Sequence, residues 1–148
     1  MKNQAFLLKF SVFSFVIVAI LGVLMRYKIA FSLPFVEQKH LQEAHSHFAF
    51  YGFITSCIYI LVAQYLSKTV EGIHLKKYQT LIGVNFFASY GMLLSFLYAG
   101  YFWLSIIFST IALLNSFVYY FFLIKDLKNH RETSKIWFLA AFFFAVLS

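Results

Sequence analysis

The sequence predicts an all-α integral membrane protein, a bundle of four full transmembrane helices followed by a truncated fifth apolar segment. Of its 148 residues 62% are hydrophobic and 22% aromatic, while only 11% are charged. A water-soluble domain of this size has too little interior to hide such a composition. Apolar runs recur at the length a helix needs, about 20 residues at 1.5 Å each, to cross a hydrocarbon core roughly 30 Å thick. None alternates apolar and polar residues as a barrel strand does, and a span in hydrocarbon must satisfy its backbone internally, so the runs are expected to be helices.

The first span is expected at residues 7–25. It is longer than the apolar part of a signal peptide and ends at Arg26 and Lys28 rather than at a small-residue cleavage site, so it reads as a retained helix. Pro34, in FSLPF, is placed to end or bend an interfacial segment before the second span, residues 46–66. The third and fourth spans follow at residues 79–98 and 102–124. The fifth segment, residues 136–148, is 13 residues long, too short to cross at 1.5 Å per residue. It reads as a re-entrant or interfacial end, or as the start of further helices missing from a fragment.

The net charge of +7 suggests nucleic acid at first sight, but the twelve Lys and Arg lie in short patches between apolar runs, so no nucleic-acid partner is expected. Their alternation gives an orientation instead. Lys2, Lys9, Lys68, Lys76, Lys77, Lys125, Lys128, Arg131 and Lys135 fall on one side of the spans, nine in all, against three, Arg26, Lys28 and Lys39, on the other. The positive-inside rule then puts the N-terminus in the cytoplasm, with a bacterial inner membrane as the expected location. Tyr98, Tyr101 and Trp103 are expected as aromatic anchors at the outer surface, and Tyr65, Tyr78 and Trp137 at the inner one.

Within the spans, small residues one turn apart offer close helix contacts: Gly52 and Ser56, Gly91 and Ser95, Ala112 and Ser116. Asn85 and Asn115 are expected to hydrogen-bond between helices as structural glue. Cys57 reads as a small buried hydrophobe. The five acidic residues are expected in loops, which disfavours a carboxylate relay across the membrane. No phosphate-binding loop, no Ser-His-Asp or Cys-His arrangement and no close carboxylate pair occurs within the spans. His74 and His130 belong to charge runs and read as solvated.

The chemistry-bearing residues concentrate in EAHSHFAFYG, residues 43–52. His45 and His47 are two apart, which at roughly 100° per residue puts them on nearly opposite helix faces. The His45 face continues through Ala49, Gly52, Ser56 and Ala63, a small and smooth stripe. The His47 face continues through Tyr51, Ile54 and Ile58, and looks back to Glu43 and His40. Three readings follow. In one, His45 or His47 is an axial ligand of heme iron, which needs an apolar slot and usually a second ligand from another helix. In another, His40, Glu43 and His47 bind a divalent metal ion at the outer surface. In the third, the histidines are interfacial residues that cap the helix or meet lipid head groups, and the protein is a small non-enzymatic membrane protein acting in helix packing or assembly.

The stretch LGVLMRYKIAFSLPFVEQKHLQEAHSHFAFYGF, residues 21–53, resembles the N-terminal region of a family of bacterial multi-pass membrane proteins related to the large subunit of heme-copper oxidases. The resemblance lies in RYKIAFSLPF, in AHSHFAF at the mouth of the second span, and in a YGML-like stretch at Tyr90 to Leu93, and it extends over all 148 residues. It implies a heme ligand at the outer end of the second span. The small-residue stripe favours His45 over His47. The later helices of such an oxidase, with its copper-site histidines and second axial ligand, are absent here. The resemblance therefore implies the N-terminal part of a larger protein, or a chain that completes its site with other membrane subunits, rather than a whole oxygen reductase.

Overall fold

The computed structural model describes residues 2–70 and 72–127, together with positions 136, 139, 140 and 143. Four helices build it: Lys2–Ala30, Gln38–Thr69, Leu75–Ala99 and Trp103–Leu127. All four are long and apolar enough to cross a bilayer. The expected fifth segment falls largely outside the described residues.

Each helix runs beyond the span expected from hydropathy. Hydropathy marks where apolar residues stop, whereas a helix stops where the backbone must turn. The breakers here are Pro34, Gly72 and Gly100. Pro34 occupies the second position of a turn closed by the Val36 N–H bonding the Leu33 carbonyl at 3.3 Å. Gly72 and Gly100 have φ of +73° and +61°, a region costly for residues with a Cβ. The polar run from Gln38 to Ser46 therefore joins the second helix instead of preceding it. For the same reason Glu43 and Asp126 lie on helices, which corrects the expectation that every acidic residue is in a loop.

The helices run up and down, so their ends fall into two groups. At one end, called the lysine end, Leu66, Tyr78, Leu123 and Leu127 form an apolar cluster against which Leu7 and Leu8 pack. At the other, the histidine end, Leu21, Leu41, Ala44, Met92 and Phe96 form a second cluster. The third helix is central, packing against the second along its length and against the fourth. The first helix packs on the second and reaches the third through Phe10, whose ring meets those of Phe86 and Tyr90.

Between the two clusters lies a layer of hydrogen bonds. The second helix widens into a π-helical turn over Phe48–Thr55, and such turns leave some carbonyls outside the regular i to i−4 ladder. Neighbouring helices take them up. Asn85 Nδ2 donates to the Tyr51 carbonyl at 2.8 Å and to Ser56 Oγ at 2.9 Å, while Ser56 Oγ donates to the same carbonyl at 3.1 Å. Ser11 Oγ reaches the Phe53 carbonyl at 3.4 Å and Cys57 Sγ at 3.0 Å. Cys57 thus has a polar neighbour as well as apolar ones. Ser14 Oγ meets Tyr90 Oη at 3.1 Å, and Asn115 Nδ2 donates to the Leu81 carbonyl at 3.1 Å. Both asparagines bond between helices as expected.

Toward the lysine end, Tyr59 and Tyr119 stack with ring centroids 3.9 Å apart. Tyr59 Oη donates to Ser116 Oγ, and Tyr119 Oη to the Tyr59 carbonyl, both at 2.8 Å. Tyr78, expected as an interfacial anchor, is instead fully buried. Its hydroxyl donates to Asp126 Oδ2 at 2.7 Å, and the same carboxylate pairs with Lys77 Nζ at 2.6 Å. A phenol with a carboxylate partner can enter the core, which the residue type alone does not reveal. Trp137, expected at the same surface, lies outside the described residues. At the histidine end Tyr98, Tyr101 and Trp103 are all well exposed, as aromatic anchors require.

Replacing Asn85 with Leu removes both bonds to the second helix at nearly constant volume. The expected cost is about 1–2 kcal/mol, read as a lower unfolding midpoint in detergent. Asn115→Leu removes one bond and is expected to cost less. Equal losses in the two variants would show that the wide turn does not depend on Asn85.

Candidate functional site

The second helix enters the bundle at the histidine end, and its polar first turns carry His40, Glu43, His45 and His47. The two adjacent histidines do take opposite faces. His45 turns toward the first helix: its Nδ1–H donates to the Val18 carbonyl at 3.1 Å, and its ring lies against Gly22, where an added Cβ would stand 3.3 Å from His45 Cε1. Gly22 thus makes room for the imidazole. Sequence reasoning did not single it out, although a glycine one turn beyond Val18 on an otherwise bulky helix was its signal.

His47 faces the third helix and the turn that follows it. Its Nδ1–H donates to the Glu43 carbonyl at 3.0 Å, within its own helix. Tyr101 Oη donates to its Nε2 at 3.1 Å. The ring also packs against Phe96, centroids 4.5 Å apart, and edge-on against Tyr101. Both nitrogens of His47 are therefore engaged, and the hydroxyl that engages one of them comes from an aromatic assigned by sequence only to the interface.

His40 and Glu43 lie beneath the turn. A Cβ on Gly100 would stand 2.5 Å from His40 Cδ2 and 3.1 Å from Glu43 Oε2, so only a glycine lets the two side chains reach the turn. His40 Nε2 pairs with Glu37 Oε2 at 3.2 Å. Glu43 Oε2 is buried without a hydrogen-bond partner among the described residues. The expected metal set of His40, Glu43 and His47 is brought to one side of the second helix but not to one point. Among the described residues no three His, Cys, Asp or Glu side chains converge closely enough to hold an ion.

For a heme, the donor atom and the surroundings give different answers. A neutral His45 that donates from Nδ1 to a carbonyl keeps a lone pair on Nε2, the tautomer an iron ligand uses. The smooth stripe beyond it is not a slot, however. The Phe48 ring lies where a Cβ on Gly52 would be, the nearest ring atom 2.6 Å away. Ser56 is bonded to Asn85, and Ala63 is buried in the lysine-end cluster. The π-helical turn also breaks the stripe, because residues across it do not advance by the roughly 100° assumed for an α-helix. The stripe expected beyond His45 is thus filled by neighbouring side chains at Gly52, Ser56 and Ala63.

The arrangement can do one thing chemically with economy. Through His45 and His47, one helix end is held by imidazoles to the first helix on one side and to the turn after the third helix on the other. His74, at the start of the third helix, is exposed at the opposite end and takes no part. His130 lies outside the described residues. No family model, no curated protein and no solved structure matches this chain.

Proposed function

We propose that the chain is a multi-pass membrane protein whose role is non-enzymatic, in helix packing or assembly within the bilayer, and whose paired histidines are structural tethers. The observation that supports this reading most directly is that His45 and His47 are both engaged with neighbouring elements, by a backbone carbonyl of the first helix and by Tyr101. Four long apolar helices with a hydrogen-bonded layer at mid-length suit hydrocarbon, where side chains cannot turn to water for partners. In this reading His45→Ala and His47→Ala each lower the unfolding midpoint in detergent, by the equivalent of about 1 kcal/mol. His47→Ala and Tyr101→Phe combined should lose little more than His47→Ala alone, because the bond that Tyr101→Phe removes is already gone in that variant. Unchanged midpoints in both histidine variants would overturn the tether role.

The orientation belongs to the same reading. The lysine end, which among the described residues carries Lys2, Lys9, Lys68, Lys76, Lys77 and Lys125 against Arg26, Lys28 and Lys39 at the other end, faces the cytoplasm, in a bacterial inner membrane. Reporter fusions check it: a periplasm-active reporter inserted after Ser32 should be active and one inserted after Gly72 silent. The opposite pattern would invert the topology.

A second reading is favoured by the His45 tautomer: the chain as the N-terminal part of a heme-copper-oxidase-like assembly, with His45 ligating heme iron. The remaining helices or another subunit would have to supply the pocket. Protein expressed with heme available should then show a Soret band that His45→Ala removes and His47→Ala keeps. A spectrum without the band, or a band indifferent to His45→Ala, would dismiss this reading.

A further inference from the structure

A groove of about 420 Å³ runs along the outside of the bundle between the third and fourth helices, in the half nearer the histidine end. Its lining runs from Phe87, near mid-bundle, past Gly91 and Phe108 to Tyr98 and Phe102, whose end of the groove, nearest the histidine end, is taken as its mouth. From Phe87 to Tyr98 the third helix rises about 16 Å at 1.5 Å per residue, close to half of a hydrocarbon core roughly 30 Å thick. The groove thus has the length of one leaflet. Its walls are side chains such as Leu94, 67% exposed. Of the three hydroxyl-bearing residues that line it, Tyr90 meets Ser14 through its Oη and Ser95 donates from Oγ to the Met92 carbonyl, while Tyr98 stands exposed at the mouth.

We propose that this groove seats one acyl chain of a phospholipid from the leaflet at the histidine end, a proposal that rests on the membrane reading above. Two observations tell against a protein occupant. Gly91, which with Ser95 offers the small-residue spacing that brings two helices together, is already covered. An added Cβ would stand 2.4 Å from the Phe108 ring of the fourth helix, so that close approach is used within the chain. In the C-terminal segment, Leu139 packs against the lysine-end cluster, at the other end of the bundle from the groove. The mouth also suits a lipid. Tyr98, 83% exposed, and the neighbouring Trp103 are aromatics of the type that settles at head-group level.

The test uses the full chain extracted in a mild detergent from membranes of defined phosphatidylcholine and phosphatidylethanolamine content, weighed intact by native mass spectrometry. The native chain should retain one phospholipid. Leu94→Trp, which places an indole in the groove from an exposed position, should lose it. Leu114→Trp, exposed on the fourth helix outside the groove, should keep it. Unfolding midpoints close to the native value in both variants show that the comparison concerns the groove and not the fold. A chain that retains no lipid, equal retention in both variants, or a dimer that Leu94→Trp dissociates would each overturn the proposal, the last by giving the groove to a second copy. A chain washed from membranes by alkaline carbonate would remove the membrane reading itself. A membrane-embedded chain without the bound lipid would remove only the groove.

Discussion

The bundle depends on how the wide turn of the second helix is satisfied. A helix that departs from its regular ladder in an apolar layer leaves carbonyls that must find donors, or bear a penalty larger than the net worth of a typical hydrogen bond. Asn85 answers from the third helix and Ser11 from the first. Three helices are thereby fixed at one depth by a feature belonging to one of them. The amide cannot be flipped, since its oxygen would then face the Tyr51 carbonyl, so Asn85 Oδ1 is left buried without a partner among the described residues.

On either side of that layer the chain solves two different problems. Toward the lysine end the rings of Tyr59 and Tyr119 supply both area and polar tips, each hydroxyl finding a partner on the facing helix. Asp126, Tyr78 and Lys77 close that end with a carboxylate bonded to both a phenol and an ammonium, joining the polar ends of two helices. Toward the histidine end the contacts are lighter: imidazole to carbonyl, imidazole to phenol, and two glycines that make way for His45 and His40. The histidines read from sequence as candidate heme or metal ligands take part here in bonds between elements.

Much of this was readable from residues, for identifiable reasons. Four helices long and apolar enough to cross a bilayer followed from hydropathy, because hydrocarbon imposes a length and an internally bonded backbone. The cross-helix role of Asn85 and Asn115 followed because an amide at that depth has few alternatives. The opposite directions of His45 and His47 followed from the helical period, which holds over that first stretch. The small stripe beyond His45 did not survive because its geometry assumed an unbroken α-helix through Phe48–Thr55, and a run such as FAFYGFIT carries no local mark of a wider turn. The burial of Tyr78 was hidden for another reason: its partner Asp126 is 48 positions away, and only tertiary structure brings the two together.

The wide turn also divides the second helix in two. Because it offsets the faces of Gln38–His47 from those of Ser56–Thr69, the histidine half and the tyrosine half are not bound to a common angular phase. Residues facing the first helix at one end need not share a stripe with those facing it at the other. A helix of this kind can change what it presents at one end of the bundle while leaving its packing at the other undisturbed, which gives the bundle two independently adjustable ends on a single continuous rod.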